Sequence, residues 1–255
     1  MKSLILKKLA ALEKKHNIKI LLAVESGSRE WGFESLDSDY DVRAVHVSPL
    51  DSYLSLNEPQ EQAESIEENI DIVSWDIKKF FSLFLKSNPT VSEWLSSRTI
   101  YSDKGFANYK KNKLLSLFEK GFSKYKLIKH YQSLARQNYE KYINSSKNNV
   151  SLKKYVYILR ALGCIEFIKS TNSLPPLNWK ESSLYLPEKI KTFFKDLIYL
   201  KKISEKAEGK RIIELDNFIE SKFKENFKED KENFNICLIN SLIINTLKKS
   251  SKENA

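Results

Sequence analysis

The spacing of apolar residues changes character near residue 102. Up to that point, short continuous or alternating runs are separated by polar stretches; beyond it the spacing is three to four almost throughout. Leu4, Ile5, Leu9 and Leu12 predict an amphipathic helix over residues 1–16 with these four on its inner face. IKILLAVE, from Ile18 to Glu25, predicts a buried strand. YDVRAVHV, from Tyr40 to Val47, predicts a second, and IDIVSW, from Ile70 to Trp75, a third. Between these two, residues 51–65 are acidic and aperiodic, so irregular chain is expected there. Asp76 stands where it would cap a helix, IKKFFSLFLKS, with Phe80, Phe81, Phe84 and Leu85 turned inward. Asn88-Pro89 stops that helix, and a short one follows over residues 90–97 around Trp94.

Helical spacing then runs through residues 104–119, 122–145, 151–170, 188–206, 211–226 and 233–249. In 151–170 the apolar residues lie almost all round, which predicts a central helix. LPPLNW, residues 174–179, reads as a loop. The pattern therefore predicts an α/β segment over 1–102 and a helical domain over 103–255.

Composition narrows the classes. With 41% hydrophobic and 12% aromatic residues in 255, wholesale disorder is excluded and the chain is long enough for a core. Two cysteines, three histidines and no CxxC exclude a disulfide scaffold and a conventional zinc site. No apolar run approaches the roughly 20 residues that span a bilayer. Lysines interrupt the N-terminal apolar run, which is unlike a signal peptide. A soluble cytoplasmic protein is the expectation. The net charge of +10 divides unevenly: residues 1–102 hold 12 Lys/Arg and 16 Asp/Glu, whereas 103–255 hold 31 and 17. A net of −4 beside a net of +14 suggests an anionic partner for the helical part, although a lysine-rich genome also supplies lysines to solvated helices.

The candidate chemistry lies in ESGSREWGFESLDSDYDVRAVHV, residues 25–47. Side chains along a strand alternate, so Asp39 and Asp41 share a face. Carboxylates held side by side repel, and a hard divalent cation with oxygen ligands relieves the repulsion. Gly27-Ser28 falls where the first strand ends, and it suits a phosphate: glycine admits close approach and the hydroxyl donates. Asp71 in the third strand can join the acids, whereas Asp76 precedes a helix and is the better cap. The expected reaction is in-line nucleotidyl transfer, with metal activating an acceptor hydroxyl and stabilising pyrophosphate. Asp71 would be the acid nearest that hydroxyl.

Gly27-Ser28, Asp39-x-Asp41 and a later strand Asp together resemble the polymerase-beta nucleotidyltransferase superfamily. The longer strings GSREWGFESLDSDYDVRAVHV, DIVSWDIKKF and KSNPTVSEWL resemble its branch of predicted RNA-repair nucleotidyltransferases, the RlaP type. HYQSLARQNYEKY and LKKYVYILRAL are similar to that branch's helical half, less specifically. The resemblance implies an α+β fold, in which a small mixed sheet flanked by helices is followed by a helical module. It implies a nucleoside triphosphate substrate and a pair of magnesium or manganese ions on Asp39, Asp41 and Asp71. It also implies phosphate contacts at Gly27 and Ser28, and it places Arg29 and Arg43 beside them. Arg43 alternates in phase with the acids, so it either pairs with them or contacts phosphate. Glu30-Trp31 stands where members of the branch often carry a small residue.

Other residues have blander readings. Lys78 and Lys79 suit a solvated helix face better than a phosphate contact. Arg160, an odd charge on an apolar helix, either points at phosphate or pairs with an acid such as Glu166. Tyr131 fits core better than base stacking, His46 fits packing, and Cys164 and Cys237 fit packed small residues. The expected acceptor is a nucleic-acid end, RNA foremost. The alternatives are a protein or small-molecule hydroxyl, or a catalytically dead nucleotide-binding module.

Overall fold

Helix dominates the computed structural model, which describes residues 1–56, 58–67, 69–104, 106, 108–145 and 149–252. In chain order the first elements are α1 (Lys2–His16), β1 (Lys19–Ser26), α2 (Gly27–Trp31), β2 (Tyr40–Val47), α3 (Leu50–Leu54), β3 (Gln62–Glu67) and β4 (Ile70–Asp76). Next come α4 (Ile77–Leu85), α5 (Pro89–Ser96), β5 (Ile100–Asp103), α6 (Asn108–Gly121) and α7 (Lys124–Tyr139). A π-turn (Glu140–Asn144), β6 (Val150–Ser151), α8 (Leu152–Thr171), α9 (Trp179–Ser182) and α10 (Glu188–Ile203) follow. β7 (Glu208–Gly209), α11 (Ile213–Phe223) and α12 (Ile236–Lys252) complete the chain. The protein is thus mixed α+β.

The chain forms two compact units by interleaving. Met1–Glu30, Asp39–Phe122 and Glu232–Ala255 make the first; Trp31–Ser38 and Ser123–Lys231 make the second. Where the sequence suggested one cut after residue 102, the chain instead passes between the units several times.

In the first unit a five-stranded sheet has the order β3-β4-β2-β1-β5. β2 and β4 run parallel and the other neighbours antiparallel, so the sheet is mixed. Ile5, Leu9 and Leu12 of α1 join Ile20, Ala23, Val42, Ala44 and Ile72 in one buried cluster. Leu4, expected on that face, is 40% exposed: the inner face follows i, i+4, i+7 and leaves it outside. Elsewhere in this unit aromatic rings fill the core, with Phe84 5.1 Å from Phe118 and 5.0 Å from Phe234. Asp76 caps α4 by accepting from the Lys78 amide at 2.8 Å, and Asn88 caps α5.

Two strands differ from the sequence reading. Within the stretch 51–65, expected to be irregular, the last residues, from Gln62, begin the edge strand β3. Its side chains stay largely polar and solvated, while its main chain pairs with β4. At the opposite edge, β5 is only four residues long and pairs with β1.

In the second unit α8 is central, with twelve of its twenty residues buried, as its all-round apolar pattern required. The expected helix over 122–145 divides into α7 and the π-turn. Cys164 is buried, as expected of a packed thiol, but Cys237 of the first unit is exposed. Among the described residues no helix is long and apolar enough to cross a membrane.

Candidate active site

The site begins where β1 turns into α2. Gly27 has φ +65°, a conformation open to glycine and strained for other residues. A Cβ there would lie 2.0 Å from Asp41 Oδ2, so the missing side chain is what lets that carboxylate sit against the turn. The cause is sheet register: β1 and β2 pair Ser26 opposite Asp41. Ser28, next in line, is buried.

The parallel pairing of β2 and β4 then places Asp71 directly opposite Asp41. Each is half-buried, and one guanidinium nitrogen, Arg43 Nη2, lies 2.8 Å from Asp41 Oδ1 and 2.8 Å from Asp71 Oδ2. Arg43 Nη1 also donates to the main-chain oxygens of Val42 and Asp71, at 3.2 and 2.9 Å. A single planar cation therefore holds both acids and the strand ends that carry them. Of the two readings left open for Arg43, this is the pairing one. Asp71 Oδ1 is buried and has no hydrogen-bond partner, a free acceptor beside a bound cation.

Asp39 is placed differently. It precedes β2, is exposed, and its main-chain oxygen accepts from Arg29 Nε at 3.1 Å. The Arg29 guanidinium also stacks 3.8 Å above the Tyr40 ring, which fixes the entry into β2. Among the described residues, no three Asp, Glu, His or Cys side chains converge closely enough to hold a metal ion.

Glu25 was not anticipated. It is almost fully buried at the end of β1, where its Oε1 accepts from the Asp41 amide at 2.9 Å and its other oxygen accepts from the Tyr101 hydroxyl. Burial pushes its carboxyl above the usual range, against the pull of these two hydrogen bonds. The signal in the sequence was an acid closing the apolar run ILLAV.

Asp76 keeps the structural role expected of it. Beyond capping α4, it accepts from the Tyr53 hydroxyl, and burial raises its carboxyl. It lies opposite His46, five residues along the strand from Asp71. His46 is fully buried with Nδ1 2.8 Å from Ser74 Oγ, and burial lowers it to about 4. Lys78 is exposed; Lys79 donates to Gln62 at 3.1 Å.

In the second unit the Arg160 guanidinium lies 3.8 Å over the Trp31 ring. Glu166, the acid named as its possible partner, binds Lys169 and Lys222 instead. Tyr131 is buried core, as expected.

Residues 1–237 match the family model described as "RlaP: RNA repair pathway DNA polymerase beta family". The chain belongs to this family. It is also 32% identical, over 99% of both chains, to "Uncharacterized protein YcgL" of Bacillus subtilis (strain 168). Among solved structures, a nucleotidyltransferase-like protein from Exiguobacterium sibiricum 255-15 aligns with 84% of this chain and 73% of its own, at 13% identity and a TM-score of 0.34. Membership of the family makes the protein nucleotidyltransferase-like, of polymerase-beta type.

Proposed function

We propose that the protein transfers a nucleoside monophosphate from a nucleoside triphosphate to the hydroxyl end of a nucleic acid, foremost RNA, with divalent metal on Asp41 and Asp71. The observation that carries this reading is the pair of carboxylates facing each other across parallel strands, both within 2.8 Å of one cationic nitrogen. The donor set fits a hard cation: oxygen ligands only, one carboxylate oxygen still without a partner, and a glycine turn kept clear beside them. Asp39, two residues before Asp41, is the third acid available to this end of the sheet.

Bound there, a magnesium or manganese ion would supply Lewis-acid stabilisation of charge on phosphate. The chain's own residues do the rest. The turn at Gly27-Ser28 gives a triphosphate a close backbone approach and a hydroxyl donor. Asp71, the acid nearest the acceptor, takes the proton of the acceptor hydroxyl. The acceptor oxygen then bonds to the α-phosphorus as the α–β phosphoanhydride bond breaks and pyrophosphate leaves. Arg29 and Arg43 hold the motif ends in place and offer positive charge to the leaving group.

Incubation with each of the four labelled triphosphates, magnesium or manganese and a short RNA should give extension of the RNA, abolished by Asp41→Asn. Label on added protein, or on an aminoglycoside, would move the acceptor to those classes. The Arg43 clamp favours a second reading, an inactive nucleotide-binding module, because the guanidinium already neutralises both acids. Triphosphate binding in calorimetry without manganese binding and without turnover would select that reading.

A further inference from the structure

In the second unit, the face of α8 that stays half-exposed carries a cluster the nucleotidyl-transfer chemistry does not use. Lys154 Nζ lies 4.0 Å over the ring of Tyr142, on the π-turn, and 5.6 Å over the ring of Tyr157. Lys141 Nζ is 5.1 Å from the Tyr142 ring and Lys153 Nζ 5.6 Å from the Tyr157 ring. Three ammonium groups thus alternate with two ring faces. Behind them Tyr157 packs on Trp31, at 6.0 Å and 83°, and on Phe33, at 5.9 Å. The buried Arg160 guanidinium braces Trp31.

The charge here is poorly balanced. Glu205 pairs with Lys153 but also binds the buried Lys201. Burial holds the Lys154 ammonium below the usual lysine range; Tyr142 pulls against this, and Lys153 and Lys141 add repulsion. The Tyr142 hydroxyl is held below the usual tyrosine range by Lys141 and Lys154. Two lysines lowering one tyrosine mark a locally cationic ring, which suits an incoming anion. π-turns are also enriched at functional positions.

We propose that Tyr142, Lys154 and Tyr157, flanked by Lys141 and Lys153, form a platform for single-stranded nucleic acid. Bases stack on the ring faces and backbone phosphates lie against the ammonium groups. A single strand repeats phosphate and flat base, and this cluster repeats ammonium and ring. The platform rests on the proposed nucleic-acid acceptor and names the residues that hold it.

The test is fluorescence anisotropy of the full chain with a labelled single-stranded RNA over a range of salt, alongside calorimetry with ATP. Tyr142→Ala and Tyr157→Ala should each weaken RNA binding about ten-fold, with recovery in Tyr142→Phe and Tyr157→Phe. Lys154→Ala should make the salt slope shallower by about 0.7, while Lys7→Ala on α1 leaves it unchanged. Thermal melts of every variant separate unfolding from lost binding, and the phenylalanine variants keep the packing. Unchanged RNA affinity and slope in Lys154→Ala and Tyr142→Ala would overturn the platform, as would a fall in ATP affinity with RNA affinity intact. Failure of the catalytic reading looks different: no extension of RNA, with RNA binding still sensitive to these residues.

Discussion

Gly27 and Asp41 show how much of this site depends on single atoms. Gly27→Ala should lower stability by about 1–3 kcal/mol, because a positive φ and a steric overlap with a carboxylate oxygen act together. It should also weaken manganese binding, and melts with calorimetry read both. Asp71 and Asp76, five residues apart on β4, test the proposed metal site against a structural cap. Asp71→Asn should remove manganese affinity and leave the melting temperature nearly unchanged, since the relieved repulsion with Asp41 offsets the weakened pairing with Arg43. Asp76→Ala should do the reverse, losing about 1–2 kcal/mol with its helix cap and its Tyr53 hydrogen bond. Of these two acids, residue types and spacing already marked Asp76 as the helix cap. What they did not contain was the partner of each: Arg43 could be assigned to acid or to phosphate, and Glu25 was read only as the last residue of a strand. Both depend on which strand lies beside β2, and no local pattern records that.

Among the elements, the pairing of β2 with β4 buries His46 against Ser74 and holds the imidazole near 4, well below its ordinary value. A histidine depressed in the folded state stabilises the protein fully above about pH 6.5 and loses that contribution as pH falls toward 4. Wild type should therefore lose about 2 kcal/mol between pH 7 and 5 beyond a His46→Leu variant, read by denaturant titration at each pH. In the second unit, α10 carries Lys201, fully buried and donating to the Phe33 carbonyl at 3.0 Å and to Glu205 at 2.8 Å. Glu205 also accepts from Ser35 at 2.6 Å and is held at about 2 by its lysines and serine against burial. Glu205→Gln leaves a buried ammonium without its counter-ion and should cost about 3 kcal/mol at neutral pH. Because the folded value lies below 4.5, that difference should shrink as pH drops through 4.5 toward 2. Most helices and three of the five strands of the main sheet were legible from period alone. β3 and β5 were not: their pairing is made by main chain at the sheet edges, and neither has the long apolar run that betrays a central strand.

For the whole molecule, charge is the property that reaches furthest. An Asp41→Asn chain, in which the proposed transfer should be lost, should still bind RNA, with affinity falling steeply as salt rises; filter binding at several ionic strengths reads the slope. Retained binding in this variant would separate the basic surface from the acidic site. The sequence by itself determined the family, the central place of α8, the mixed α+β class and the uneven charge, because each is written in residue type or short-range period. Only the tertiary structure decided that Arg43 clamps Asp41 to Asp71, that Glu25 holds the Asp41 amide, and that residues 31–38 and the segment carrying α12 belong to a different unit from the chain that precedes them. Those outcomes follow from strand register and from burial between distant segments. Both are set by the free energy of the whole packed chain, and a window of neighbouring residues does not contain them.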